Sequence, residues 1–168
     1  YKEVFTGWAY PPNDYNKWRE LIYQWGKHCV ERYGKKEVES WWWEVWNEPN
    51  IPYWQGTQEE FLKTYDYAAD GLRKALPTAR IGGCNITGGG SKFLAAFLQH
   101  CISGSNYATG KIGSPLDMVL FHAKGQPKVM NARPDDLQPN DAAGQPVGRG
   151  IVVMNVGTQM RNIRDAMK

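Results

Sequence analysis

An α/β fold with a parallel sheet is the structure that this 168-residue sequence predicts. Apolar, strand-like runs alternate with amphipathic, helix-like segments, which is typical of parallel strands joined by crossover helices. Helix-capping signals mark where the helical segments begin. The strand-like runs start about 35 to 40 residues apart, the spacing of the repeated strand and helix units in a barrel.

Four helices are predicted from apolar positions that recur with a 3.6-residue period. The first spans residues 14–33, and the second begins with a capping box formed by Thr57 and Glu60. Ser91 and Thr158 are expected to cap the third and fourth helices. The positions expected to face the core are Trp18, Leu21, Ile22, Trp25 and Cys29 in the first helix, Phe61, Tyr65, Ala68, Leu72 and Leu76 in the second, and Leu94, Phe97, Leu98 and Cys101 in the third.

Strands are predicted between these helices. A strand stub is expected near residues 4–9, with fuller strands at 41–48, 79–82 and 117–122. The 41–48 run is apolar almost throughout, as expected where both faces of a parallel sheet are buried. Residues 124–150 contain prolines, glycines and polar residues, and we expect a long loop there.

The length is too short for a closed barrel. An eight-unit barrel needs roughly 250 residues, so the sequence predicts a partial (β/α)8 TIM barrel, about half of the complete structure. We expect one domain over residues 1–168 and no second domain. Half of a barrel would leave two open sheet edges, which invite pairing or aggregation. The chain is therefore expected to be the central portion of a longer polypeptide.

Composition argues against several kinds of partner. The net charge is +3 with acidic and basic residues interspersed, so no nucleic acid or anionic membrane partner is indicated. No apolar run approaches the roughly 20 residues that span a bilayer. Three cysteines, Cys29, Cys84 and Cys101, cannot all pair, and they are expected to be buried as small hydrophobic residues. Eight tryptophans exceed what such a core needs, and flat rings with polar edges suit sugars.

The end of the 41–48 strand carries the candidate chemistry. Reacting groups of a parallel barrel lie at the C-terminal ends of its strands, where Asn47 and Glu48 are placed. Trp46 and Trp54 are expected to remove water from the carboxyl, which would raise the pKa of Glu48 and keep it protonated at neutral pH. Such a group can protonate a glycosidic oxygen. The amide of Asn47 can donate to and accept from a sugar hydroxyl.

The motif Trp46-Asn47-Glu48-Pro49-Asn50 resembles the acid/base motif of retaining barrel glycosidases, in particular glycoside hydrolase family 39. The likeness extends along nearly the whole chain, through residues 41–54, the Ser-Pro-Leu-Asp run at 114–117 and Phe121-His122-Ala123. Within that family, the sequence most resembles the β-xylosidase branch. This resemblance implies that the chain holds about strands 3 to 6 of the barrel with their helices.

The resemblance also implies roles for individual residues. Glu48 would be the general acid/base of a retaining double displacement, Asn47 would bind the hydroxyl beside the reacting carbon, and His122 would line the pocket from the sixth strand. The nucleophile, a glutamate on the seventh strand, would lie beyond Lys168. Lys124 stands where the family often has an aromatic residue, so the pocket differs there.

Aromatic residues near the motif are the predicted pocket walls. Trp46, Trp54 and Tyr53 lie in or just after the strand, and Trp8 lies near the end of the strand stub. The expected partners are an oligosaccharide or glycoside substrate and the remainder of the barrel, with no cofactor and no metal. The sequence leaves the oligomeric state open, a homo-oligomer included. Enzymes of this resemblance favour a secreted or periplasmic location over a cytoplasmic one.

Two other functions stay open from the sequence, and one further residue has an expected structural role. A carbohydrate-binding module or inactive pseudoenzyme would use the same tryptophans without chemistry, so that binding would depend on Trp54 and not on Glu48. An iduronidase-like enzyme of the same family would keep the mechanism and change the sugar. Glu44 is expected to be an interior polar group whose hydrogen bond comes from a neighbouring strand.

Overall fold

The structure is a computed structural model of the chain. It describes residues 7–88, 90–122, 127–130, 137–138, 147–148, 151–154 and 164–165. The chain divides into two compact units between His122 and Ala123, and each unit is described by itself.

The first unit contains a three-stranded parallel sheet and its helices. Its elements in chain order are a 3-10 helix at Gly7–Ala9, α1 (Tyr15–Tyr33), α2 (Lys35–Val38), β1 (Trp42–Glu44), α3 (Gln58–Ala75), β2 (Arg80–Ile86), α4 (Ser91–Ser103) and β3 (Met118–Phe121). The strands lie in the order β1-β2-β3, and both pairings are parallel. Every strand connection therefore passes through a helix, and the predicted α/β class with a parallel sheet is confirmed.

The second unit consists of short antiparallel strand pairs. Strand β4 (Pro127–Met130) pairs with β7 (Ile151–Met154), and β5 (Leu137–Gln138) pairs with β6 (Val147–Gly148). The expected long loop over residues 124–150 is therefore wrong where these strands lie. These short extended pieces have too little periodicity to predict strands.

Three other predicted elements differ from the structure. The strand expected over 41–48 with both faces buried is β1 (Trp42–Glu44), and Trp42 and Glu44 on one face of it are exposed. The strand stub expected near residues 4–9 is a 3-10 helix at Gly7–Ala9, and the stub's first three residues lie outside the described part. The strand expected at 79–82 continues to Ile86, because its Gly-Gly pair remains in the ladder instead of forming a turn. Of the helix predicted after Thr158, only Arg164 and Asp165 are described, and both are helical.

Helix α3 is the central helix of the first unit. Thr57 accepts from the backbone N–H of Glu60 while the Glu60 carboxylate accepts from the N–H of Thr57, so the predicted capping box is confirmed. All five apolar positions expected to face inward are at most 2% exposed: Phe61, Tyr65, Ala68, Leu72 and Leu76. In α4, Leu94, Phe97 and Cys101 are buried as predicted, although the N-cap is Gly90 instead of Ser91.

Helix α1 packs against α3 on a face that was only partly predicted. Ile22, Gly26 and Cys29 are buried, whereas Leu21 is 60% exposed and Trp25 is 53% exposed. A Cβ on Gly26 would come within 3.1 Å of side chains of α3. Because glycine has no Cβ, α1 and α3 can approach closely on the face of α1 that carries Gly26. The periodicity identified the helix, but the close approach at Gly26 decided which stripe faces α3.

A buried carboxylate on α3 organises the connection from α4 to β3. Asp66 is fully buried, and it accepts from the Ser114 hydroxyl at 2.6 Å and from the Tyr107 N–H at 2.7 Å. Its other hydrogen-bond partner is His100 Nε2 at 2.9 Å. A buried charge is tolerated when several donors surround it, so Asp66 fixes this connection.

The start of β3 is locked in register by Asp117. Its carboxylate accepts from the backbone N–H of Ile81 and pairs with Arg73 on α3. Its own N–H donates to the carbonyl of Ile81 at 2.8 Å.

In the described part of the chain, the helices are all too short or too polar to cross a bilayer.

The glycine contacts between α1 and α3 give a stability prediction. A Cβ on Gly71 would strike the backbone carbonyl oxygen of Arg19, which cannot rotate away as a side chain can. We expect Gly71→Ala to lower the free energy of unfolding by about 1–3 kcal/mol, the usual cost of overpacking. Gly26→Ala is the matched comparison, because its Cβ would meet only side-chain atoms of Leu72 and Ala75. Urea unfolding of both variants would contradict the packing argument if Gly26→Ala were the more damaging.

The buried cysteines predict how stability depends on pH. Cys29, Cys84 and Cys101 are all buried, as expected, and burial raises the pKa of Cys84 from 9.0 to about 12. Above pH 9 the unfolded thiol loses its proton while the folded thiol keeps it, so the free energy of unfolding should fall as the pH rises toward 12. Urea unfolding across this pH range measures the slope. Cys84→Ala should make the slope shallower, and an unchanged slope would contradict the assignment.

Candidate active site

The backbone just after β1 adopts an uncommon conformation that brings several side chains to one place. Trp46 has φ of 71° and Glu48 has φ of 51°, in the left-handed region that few residues other than glycine adopt. The parallel ladder nevertheless continues, since Val45 donates to Gly82 and the Glu48 N–H donates to the carbonyl of Asn85 at 3.0 Å. Such strain concentrates at functional sites, where surrounding contacts hold it in place.

Glu48 lies at the C-terminal end of the parallel sheet and is almost completely buried. The residue is 4% exposed, and its Oε1 lies 2.6 Å from Nδ1 of His122. His122 follows β3, and its N–H donates to the carbonyl of Ile86 at the end of β2. The structure thus brings together two residues 74 positions apart that the sequence placed in one site. The side chain of His122 remains 35% exposed, so the pair can be reached from outside.

Four aromatic rings form a cluster in and around the segment that follows β1. The indole N–H of Trp46 donates to the carbonyl of Tyr53 at 3.1 Å, and the Trp46 ring meets the edge of Trp54 at 4.9 Å. Trp54 is 6% exposed and donates to the carbonyl of Thr57, so it supports Trp46 from behind. Tyr53 is 37% exposed, and its ring lies 6.3 Å from that of Trp8. Tyr53, Trp8 and Trp46 are thus the rings open to a ligand.

Asn47 belongs to a chain of hydrogen bonds that also includes Glu44 and Asn85. The amide nitrogen of Asn85 donates to Glu44 Oε1 at 2.6 Å and to Asn47 Oδ1 at 3.1 Å. The expectation that a neighbouring strand supplies the hydrogen bond of Glu44 is confirmed, because Asn85 lies on β2. Glu44 is exposed, however, and not interior in this chain.

Asn50, the last residue of the motif, joins the turns that follow β1 and β2. Its Oδ1 accepts from the N–H of Thr87 at 2.9 Å, and its Nδ2 donates to the carbonyl of the same residue at 3.3 Å. The side-chain amide thus makes the pair of hydrogen bonds with the backbone of Thr87 that a neighbouring strand would otherwise make. This contact holds the segment after Glu48 against the loop that leads to α4.

One predicted pocket residue has no described position, and no metal-binding group is found among the described residues. Lys124 lies outside the described residues. In the part of the chain that the structure describes, no three His, Cys, Asp or Glu side chains form a group that could hold an ion.

Asn85 is the residue of the site that the sequence analysis missed. It lies in β2, in the part of the Gly82-Gly83-Cys84-Asn85-Ile86 run beyond the predicted end of the strand at Gly82. One signal was present, since a polar residue at the end of an apolar strand of a parallel sheet lies at the edge where sites are built.

Comparisons with known proteins identify the family of the chain. The model of the family "Glycosyl hydrolases family 39" matches residues 2–143. A β-xylosidase of Geobacillus stearothermophilus is 39% identical over 115 residues, which cover 67% of this chain and 21% of that protein. The α-L-iduronidase of Homo sapiens is 35% identical over 115 residues, which cover 65% of this chain and 18% of that protein. The chain thus spans about a fifth of the length of these relatives.

A solved structure shows the same fold. The crystal structure of a monomeric β-xylosidase from Caulobacter crescentus CB15 superposes with a TM-score of 0.66 at 25% identity. The superposition covers 95% of this chain and 29% of that chain. Since the family match runs through most of the sequence and includes the Glu48 motif, this chain belongs to glycosyl hydrolases family 39.

Proposed function

We propose that this chain is the acid/base-bearing part of a retaining, β-xylosidase-like glycoside hydrolase. The observation that carries the proposal is Glu48, a carboxyl 4% exposed at the C-terminal end of a parallel strand, with His122 at 2.6 Å. A buried carboxyl at that edge is the group that a glycosidase needs to protonate the departing oxygen. The relatives named β-xylosidase support the choice of sugar.

The proposed reaction is a double displacement. Glu48 gives its proton to the glycosidic oxygen as a second carboxylate attacks the anomeric carbon, and it then takes a proton from the water that releases the sugar. His122, within hydrogen-bonding distance of Glu48 Oε1, orients the carboxyl toward the leaving group. The attacking carboxylate is proposed to lie outside this chain, about 5 to 5.5 Å from Glu48. No cofactor takes part.

The proposed complete fold is a barrel of which this chain forms about strands 3 to 6 within one catalytic domain. Both outer strands of the three-stranded sheet, β1 and β3, have an edge that no described strand occupies. The face of β1 with Trp42 and Glu44 is exposed, whereas Trp43 packs toward the helices. An exposed face of this kind suits the inside of a barrel that other strands complete. We propose that the partners of this chain are the remaining strands of the barrel and a glycoside substrate. The proposed location of the enzyme is secreted or periplasmic.

An iduronidase-like specificity is the second candidate. Three α-L-iduronidases are among the relatives, at 34–35% identity, so the same motif occurs with a different sugar. The two candidates share Glu48 and differ in the groups that surround the sugar's C5 substituent. Paired aryl β-xyloside and aryl α-L-iduronide substrates, offered to the complete polypeptide, distinguish them by which one is hydrolysed.

Substitution of Glu48 tests the acid role. In the complete polypeptide, we expect Glu48→Gln to lower kcat/KM for a phenyl β-xyloside by about 10²–10⁴, because the leaving oxygen needs a proton. A dinitrophenyl β-xyloside, whose leaving group needs little protonation, should lose much less. Steady-state kinetics on the two substrates measure the difference, since kcat/KM reports the first bond-breaking step.

The control is Glu31→Gln, on the exposed side of α1, which should match the unsubstituted enzyme on both substrates. Equal losses on both xylosides in Glu48→Gln would argue against proton donation. Absence of hydrolysis by the unsubstituted polypeptide, with sugar binding that is lost in Trp54→Ala and unchanged in Glu48→Gln, would favour a binding module.

The missing nucleophile gives a separate prediction. A purified polypeptide of residues 1–168 is expected to show no turnover of an aryl β-xyloside, because a double displacement needs two carboxylates. Release of the aryl alcohol, measured by absorbance, is the assay. Turnover by this polypeptide that disappears in Glu48→Gln would show that the second carboxylate lies within the chain.

A further inference from the structure

We propose that Asn85 is a positioning residue that fixes the amide of Asn47 with its NH2 group toward the substrate. The inference rests on the proposed function, in which Asn47 binds the sugar hydroxyl beside the reacting carbon. It adds a residue on the neighbouring strand and a direction for that hydrogen bond: Asn47 donates and the hydroxyl oxygen accepts.

Asn85 is held in an unusual conformation at the end of β2. Its φ is 37°, and the residue is 9% exposed. Together with Trp46 and Glu48, it makes a third positive-φ residue at the same edge of the sheet. Asparagine tolerates this region better than most residues, but the strain still requires contacts that hold it. Those contacts are the two side-chain hydrogen bonds and the backbone bond from Glu48.

The orientation of both amides follows from Glu44. An ionised carboxylate only accepts hydrogen bonds, so the atom of Asn85 that lies 2.6 Å from Glu44 Oε1 is the NH2 nitrogen. That nitrogen carries two hydrogens, and the second is directed to Asn47 at 3.1 Å. The facing atom of Asn47 must then be its carbonyl oxygen. Because the carbonyl oxygen of Asn47 faces Asn85, the NH2 group of Asn47 points away from Asn85.

A fixed donor at this place suits the proposed chemistry. Hydrogen bonds to the hydroxyl beside the reacting carbon strengthen as the oxocarbenium-like transition state forms. An amide free to flip would present oxygen for part of the time and would lose that contact. Since the carbonyl of Asn85 also accepts from the N–H of Glu48, one residue holds both the proposed acid and the proposed hydroxyl donor.

The test uses the complete polypeptide and two substrates, an aryl β-xyloside and its 2-deoxy analogue. Asn85→Gly removes the amide, and glycine readily adopts φ of 37°. We expect kcat/KM for the xyloside to fall about tenfold, the size of one lost hydrogen bond, and that for the 2-deoxy substrate to change less than about twofold. In an Asn47→Ala background, Asn85→Gly should cause no further loss on the xyloside.

Two further variants separate positioning from structure. Asn50→Ala removes an amide that bonds only the backbone of Thr87, so its effect should be equal on the two substrates. Asn85→Asp replaces the NH2 group by an acceptor, and Glu44→Gln is made with it so that a donor again faces residue 85. This pair of substitutions should select the flipped amide of Asn47 and lose the xyloside preference even if Asn85→Gly fails to fold.

Equal losses on both substrates in Asn85→Gly, or losses that add to those of Asn47→Ala, would overturn the assignment of Asn85. If the unsubstituted enzyme hydrolyses the xyloside and both Asn85 variants match it, the assignment fails while the proposed function stands. If the unsubstituted enzyme hydrolyses neither substrate, the proposed function fails and this inference fails with it.

Discussion

The parallel register of β2 between β1 and β3 brings Glu48, Asn85 and His122 to one edge of the sheet. Gly82 pairs with Met118 on one side and with Glu44 on the other, so the three strands end at one edge. Asp117 holds that register through its two hydrogen bonds with Ile81. Because parallel strands must be joined by crossovers, residues 74 positions apart can meet only when this register is kept.

In the described part of the chain, the buried carboxylates of Asp66 and Glu48 have different surroundings. Asp66 is surrounded by donors from Ser114, Tyr107 and His100, and nothing about its backbone is unusual. Its charge is stabilised in place, which suits a structural role. Glu48 instead lies on a backbone with positive φ beside a half-exposed imidazole. A strained backbone of this kind is held in place by surrounding contacts, here the hydrogen bonds of Glu48 with Asn85 and His122.

The candidate site contains three amide groups whose direction is set by neighbouring groups. Asn47, Asn50 and Asn85 are all asparagines, yet each has a different set of partners: a second amide, a backbone pair, and a carboxylate with an amide. An amide has a donor and an acceptor end, so only its neighbours decide which end faces a ligand. Residue identity alone therefore leaves the polarity of such a site undetermined.

The sequence by itself determined the α/β class, the limits of α1 and α3, the buried face of α3, and the Glu48 motif with its place at a strand end. These features depend on local periodicity, capping and proline chemistry, which nearby residues encode. Only the tertiary structure decided which stripe of α1 faces α3, that β2 continues through two glycines to Asn85, and that residues 127–154 contain paired strands. Each of these depends on contacts between segments distant in sequence, where close approach and hydrogen-bond geometry outweigh local preference.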